Sequence, residues 1–200
     1  MKTETIFNLL YCIIWPYFKL FHPVKPVGRE NIPEGGAVIC PNHTTAGDPL
    51  YVVFAFGRKP MWALAKQEII KWPVIGWILN KAGVIGVDRG NADVKAIKTA
   101  LRGLKDNRKL LIFPEGTRVH EGENVEGKTG AALFATRTGV PLLPVYIQPK
   151  KRRFHPTTVV IGQPYRPVIA GRKATSEELE SITKDLMLRI QALGEGQSCV

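Results

Sequence analysis

Cysteine is scarce. Only Cys12, Cys40 and Cys199 occur in 200 residues. An odd count at spacings that match neither a disulfide framework nor a zinc motif excludes both as organising features, and reads as free thiols in a reducing compartment. The four histidines, His22, His43, His120 and His155, are scattered without zinc-ligand spacing, so no metal is expected. Long apolar runs are missing too. The N-terminal stretch Ile6–Phe18 is apolar apart from Asn8 and is broken by Lys19, which is short of the roughly 20 residues a membrane-spanning helix needs. It does not read as a signal peptide, because Lys2 is offset by Glu4 and no small-residue cleavage site follows. Repeats and low-complexity tracts are absent. So are carboxylates between Glu126 and Glu177, although that span carries Lys128, Arg137, the run Lys150–Lys151–Arg152–Arg153, Arg166, Arg172 and Lys173.

What is present is globular in kind. Hydrophobic residues make up 44% and charged residues 22%, and the length suits one domain with a sizeable core. The net charge of +11 favours a polyanionic partner: nucleic acid, an anionic membrane or a phosphorylated substrate. The basic run at 150–153 reads most simply as a solvated face, and an acidic carrier protein is another partner it would suit. No nucleic-acid recognition motif or aromatic–basic interleaving occurs, so nucleic acid is not expected as the partner. Near the N-terminus, Ile6, Leu9, Leu10, Ile13, Tyr17, Leu20 and Phe21 share a helical face. Trp15, Tyr17 and Phe18 are aromatics of the kind found at lipid headgroups, and Pro16 is expected to kink or end the helix. An interfacial helix and an ordinary helix packed on the domain both fit this stretch.

Downstream, strands and helices alternate. Strands are expected at Ala37–Cys40, Pro60–Ala65, Val84–Val87, Lys109–Phe113, Pro141–Gln148 and Thr157–Gly162. Helices are expected at Asp48–Phe56, Pro73–Lys81, Asn91–Asp106, Lys128–Thr138 and Ser176–Leu193, the last capped by Thr175 or Ser176. This order implies an α/β fold: a mixed, largely parallel sheet flanked by helices, with an N-terminal membrane-interfacial segment at 1–27 and the α/β domain at 28–200.

Two motifs follow expected strands, where ligands of such folds gather. In Asn42-His43-Thr44-Thr45-Ala46-Gly47-Asp48, the histidine and the aspartate lie five positions apart. They meet only if the chain turns between them, a turn that Gly47 would permit. Asp48 before Pro49 also reads as a helix N-cap. A carboxylate on one ring nitrogen fixes the tautomer and leaves the other nitrogen to take a proton from an alcohol. The second motif is Phe113-Pro114-Glu115-Gly116-Thr117-Arg118. Arg118 offers a planar fork suited to phosphate, and Gly116 allows close backbone approach.

Asn-His-x4-Asp followed by Phe-Pro-Glu-Gly-Thr-Arg resembles the glycerolipid acyltransferase family, and within it the 1-acylglycerol-3-phosphate acyltransferases. Two further blocks are similar: Ala82-Gly83-Val84-Ile85-Gly86-Val87-Asp88-Arg89 and Val140-Pro141-Leu142-Leu143-Pro144-Val145. The likeness runs from about Gly28 to Pro167. It departs at Ile85-Gly86-Val87, where relatives often carry bulkier residues, and in lacking the long N-terminal membrane spans of some relatives. The resemblance implies His43 as general base, Asp48 as its orienting partner and Asn42 as a shaper of the turn. It implies that Arg89, Glu115, Gly116, Thr117, Arg118 and Lys128 bind the glycerol phosphate.

The implied reaction moves an acyl group from an acyl thioester, carried by coenzyme A or acyl-carrier protein, to the free 2-hydroxyl of 1-acyl-glycerol-3-phosphate. Transfer is direct, with no acyl-enzyme, resident cofactor or metal. The expected setting is the cytoplasmic face of the cell membrane, with peripheral or monotopic attachment to an anionic surface.

Overall fold

The computed structural model describes residues 3–88, 93–119 and 126–196. Helix α1 (Thr3–Phe21) leads into strand β1 (Val24–Val27). Then come β2 (Ala37–Pro41), α2 (Asp48–Phe56), β3 (Met61–Lys66), α3 (Gln67–Ile70), α4 (Pro73–Lys81) and β4 (Val84–Val87). The remainder is α5 (Val94–Lys105), β5 (Lys109–Leu111), α6 (Gly130–Thr138), β6 (Leu142–Ile147), β7 (Thr157–Ile161) and α7 (Ser176–Glu195). The first residues of the helix expected at Asn91–Asp106 lie outside the described residues.

The seven strands form one sheet in the order β1-β7-β6-β2-β5-β3-β4. The β6–β7 pair is antiparallel and the other five pairs are parallel. The sheet is therefore mixed and largely parallel, as the alternating elements imply. β2 sits between β6 and β5 and is buried along its whole length, so it reads as a continuous apolar run and not an alternation. Its side chains still divide by period two. Ile39 joins a core layer with α1 and α2 residues, including Phe7, Phe18, Val52 and Phe56. Val38 and Cys40 join the opposite layer with Ala100, Leu104, Phe134, Leu186 and Ile190 from α5, α6 and α7.

Three local features depart from expectation. β1 falls among residues that read as turns, because Pro26 lies within it. It is tolerated because β1 is an edge strand paired only with β7, and an edge strand has one backbone side that needs no ladder partner. The sheet thus takes up Val24–Val27, inside the segment assigned to the N-terminal appendage. Helix α1 does not end at Pro16 but runs on to Phe21. The α1 helix also has two apolar faces. Phe7, Tyr11, Ile14 and Phe18 pack into the core, with Phe18 stacked on Phe54 of α2 at 4.5 Å. Leu9, Ile13, Trp15, Tyr17 and Leu20 are left exposed. Elsewhere the expected caps form. Gly139 ends α6 in the left-handed conformation (φ 73°), and Thr175 with Glu178 makes a capping box on α7.

Candidate active site

β2 and β5 are adjacent and parallel, so the loops leaving their carboxyl ends emerge side by side. This brings the two motifs together. The His43 carbonyl accepts the Val119 N–H at 2.8 Å, and the His43 N–H donates to the Glu115 carboxylate at 3.0 Å. On the other flank, the Asn42 side-chain amide donates to the Ile147 carbonyl at 3.0 Å and accepts the Ile147 N–H at 2.7 Å. The amide thus continues the β2–β6 ladder past the end of β2 and holds the next residue, His43, in place.

The His43 imidazole Nδ1 lies 3.0 Å from Asp48 Oδ2. Its ring stacks on Phe113 with centroids 4.0 Å apart, which restricts rotation, and its side chain is 15% exposed. Asp48 is fully enclosed, at 0% exposure. Besides His43, its Oδ2 accepts the Thr44 N–H at 2.6 Å and the Thr45 N–H at 2.8 Å. Its Oδ1 accepts the Thr45 hydroxyl at 2.7 Å and faces the Lys151 ammonium at 2.8 Å. Burial alone would push this carboxyl up, but the bonds from His43, Lys151 and Thr45 outweigh it and hold the group well below the usual carboxylate range. Asp48 does not cap α2: the helix N-terminus has no side-chain cap, and the carboxylate folds back onto 43–45 instead. Gly47 is not a special hinge either. Its φ of −82° is open to any residue, and the turn is made by the carboxylate gathering the N–H groups of Thr44 and Thr45.

A cavity of about 480 Å³ opens beside the imidazole. Leu64, Ile97, Ile112 and Phe134 give it an apolar wall, and Lys66, Arg118 and Lys128 bring cations to it. Gly116 and Thr117 line it as well. Gly116 has φ +70°, the left-handed region that favours glycine, and the end of the Lys128 side chain packs where a Cβ would stand. Glu115 does not line the cavity. It is 7% exposed and serves the His43 backbone, and burial pushes its carboxyl up to about 7 against the pull of that N–H. Arg89 lies outside the described residues. The geometry thus gathers His43, Asp48, Gly116, Thr117, Arg118 and Lys128, and uses Glu115 as a strut. Among the described residues no cluster of His, Cys, Asp or Glu is arranged to hold a metal ion.

Two cationic side chains near the site escaped the sequence reading. Lys66 ends β3 as an unremarkable lysine. Lys151 belongs to a run that looks uniformly solvated, and nothing in that run's composition marks it out.

The acyltransferase family model matches residues 23–148. A 1-acyl-sn-glycerol-3-phosphate acyltransferase from Bacillus subtilis is 31% identical over 179 residues, which cover 85% of this chain and 87% of that protein. One from Borreliella burgdorferi is 38% identical over 125 residues, covering 59% of this chain and 48% of that protein. The chain spans about half the length of that relative and of its Pseudomonas aeruginosa counterpart. The crystal structure of the 1-acyl-sn-glycerophosphate (LPA) acyltransferase PlsC from Thermotoga maritima superposes with a TM-score of 0.67 at 25% identity, over 98% of this chain and 78% of that one.

Proposed function

Since the chain belongs to the acyltransferase family, we propose that it transfers a fatty acyl group from an acyl thioester to the free 2-hydroxyl of 1-acyl-glycerol-3-phosphate, forming phosphatidic acid. The observation that carries this reading is the His43–Asp48 contact at 3.0 Å beside a cavity that joins an apolar wall to Arg118, Lys66 and Lys128. With Nδ1 engaged by Asp48, Nε2 is the ring nitrogen left for a substrate. It takes the hydroxyl proton as the oxygen attacks the thioester carbonyl. The C–S bond then breaks, and the imidazolium, stabilised by Asp48, returns the proton to the departing thiolate. Orienting acyl donor and acceptor in one cavity supplies much of the rate. Coenzyme A and acyl-carrier protein both present the required thioester, and an assay with each names the donor.

The acceptor's phosphate distinguishes it from a neutral monoacylglycerol. Arg118 offers a charge-assisted, bidentate grip on that phosphate. Arg118→Ala is expected to lower kcat/KM for lysophosphatidate by about 30-fold or more, equivalent to about 2 kcal/mol of lost phosphate contact. Transfer to monoacylglycerol should stay within about twofold. Equal losses on both acceptors would show that Arg118 does not read the phosphate. Glycerol-3-phosphate in the same assay tests whether the first acyl chain is required.

A lipid acceptor implies work at a membrane surface, and we place the chain at the cytoplasmic face as a peripheral protein. No helix among the described residues is long and apolar enough to cross a membrane. Yet Trp72, Val74, Ile75 and Trp77 are exposed around α4, which touches α1, a helix that also leaves apolar residues exposed. Ile69 carries this apolar surface to the cavity wall. Lys71 and Lys81 flank α4 and suit anionic headgroups. The double variant Trp72→Ser/Trp77→Ser is expected to bind phosphatidylglycerol-containing vesicles about tenfold more weakly, by sedimentation, with unchanged thermal stability. Wild-type vesicle binding by that variant would remove α4 from the contact.

A further inference from the structure

Four consecutive basic residues follow β6, and one of them is not on the surface. Arg152 and Arg153 are exposed. The Lys151 side chain turns inward until it is 9% exposed. Its ammonium lies 2.8 Å from Asp48 Oδ1, donates to the Thr44 hydroxyl at 2.7 Å and sits 5.7 Å from the Tyr51 ring centroid. Enclosing a lysine carries a large desolvation penalty, which only a well-made pairing offsets. Here the pairing is with the carboxylate that holds the candidate base.

We propose that Lys151 is a third member of the base assembly, a positioning residue that fixes the Asp48 carboxylate and limits how strongly it draws a proton onto His43. This inference rests on the acyl-transfer reading of the site. The two oxygens of Asp48 have divided duties. Oδ2 serves His43 and two backbone N–H groups, and Oδ1 serves Lys151 and the Thr45 hydroxyl. A cation on Oδ1 resists rotation of the carboxylate, so Oδ2 stays aimed at Nδ1. It also offsets the negative charge. An enclosed carboxylate with no counter-cation would stabilise the imidazolium and take the base out of action near neutral pH. With Lys151 on Oδ1, the carboxylate keeps Oδ2 on the imidazole while part of its charge is met by the ammonium.

Other charged and titratable groups face His43. Glu115 meets its backbone N–H, and Lys66, Arg118 and Lys128 line the adjoining cavity. All are unchanged by a substitution at Lys151, so a difference between variants isolates the lysine. Lys151→Met keeps the stem and removes the charge. Asp48 would still hold four donors, which favours an intact loop. Lys151→Arg restores the cation.

The decisive readout is the imidazole titration of His43, followed by NMR and assigned with a His43→Gln reference. In Lys151→Met its midpoint is expected to move up by about one pH unit, and Lys151→Arg should return it most of the way. The acid limb of kcat/KM for acyl transfer should move with it, with a rate loss of about 10- to 100-fold at pH 7. If Lys151→Met does not fold, Lys151→Gln is read in the same way. An unmoved midpoint, or a uniform rate loss with an unmoved acid limb, would reduce Lys151 to a structural prop and overturn the proposal. A moved midpoint in a protein that transfers no acyl group would instead overturn the functional reading and leave the Lys151 assignment standing.

Discussion

His43→Ala is expected to reduce acyl transfer to lysophosphatidate by at least about 10³-fold while the protein stays folded. General-base catalysis contributes about 10²- to 10⁴-fold, and the base proposed here is held in line by Asp48 and Phe113. The stability effect should be small, because the imidazole is partly exposed and Asp48 retains its bonds from Thr44, Thr45 and Lys151. A steady-state assay paired with a thermal melt separates the two effects. An activity within about tenfold of wild type would remove His43 from the chemistry.

Asp48→Ala should damage activity and stability together. The carboxylate is fully buried and satisfies His43, two backbone N–H groups, a hydroxyl and an ammonium. Removing it leaves Lys151 enclosed without its counter-ion and the Thr44 and Thr45 amides without acceptors. Breaking one partner of a buried pair costs about 3–5 kcal/mol, and in a chain of this size that is a fall in Tm of roughly 10 °C. Acyl transfer should fall by at least about 10²-fold even at temperatures where the variant is folded. The effect depends on pH with a definite sign. The Asp48 carboxyl is held below its ordinary value, so its stabilisation is fully present above about pH 4 and fades as the pH drops below that. The Tm gap between wild type and Asp48→Ala should therefore narrow on acidification below about pH 4. A gap that stays constant, or widens in acid, would mean the carboxylate is not the anchor of this loop.

The sequence made the frame of the site legible. The apolar run of β2 followed by Asn42-His43 and the strand leading into Phe113–Arg118 placed both motifs at carboxyl ends. Parallel pairing of β2 with β5 then made them neighbours. The bounds of α2, α4 and β4 also followed from proline, glycine and apolar spacing. What escaped depends on contacts between residues distant in sequence. Nothing in a run of four adjacent cations singles one out, and only the fold decides that Lys151, 107 positions from Thr44, reaches its hydroxyl. Glu115 reads as a ligand for substrate, but burial turns it to the His43 backbone. Gly47 reads as the residue that permits the turn, but its φ of −82° is open to any residue and the Asp48 carboxylate gathers the loop instead. Helix α1 looked like a choice between a packed and an interfacial helix. Its apolar residues go most of the way round, so one face packs on α2 and another stays bare.

Direct transfer, with the acceptor hydroxyl activated by His43 and no covalent stop on the protein, is open to one decisive measurement. Purified protein is incubated with an acyl thioester alone and examined by intact-mass spectrometry, and lysophosphatidate is then added while phosphatidic acid is quantified. The expected result is a protein of unchanged mass and prompt phosphatidic acid once the acceptor is present. An acyl adduct on the protein that disappears into product, or an acceptor that is never acylated, would contradict it.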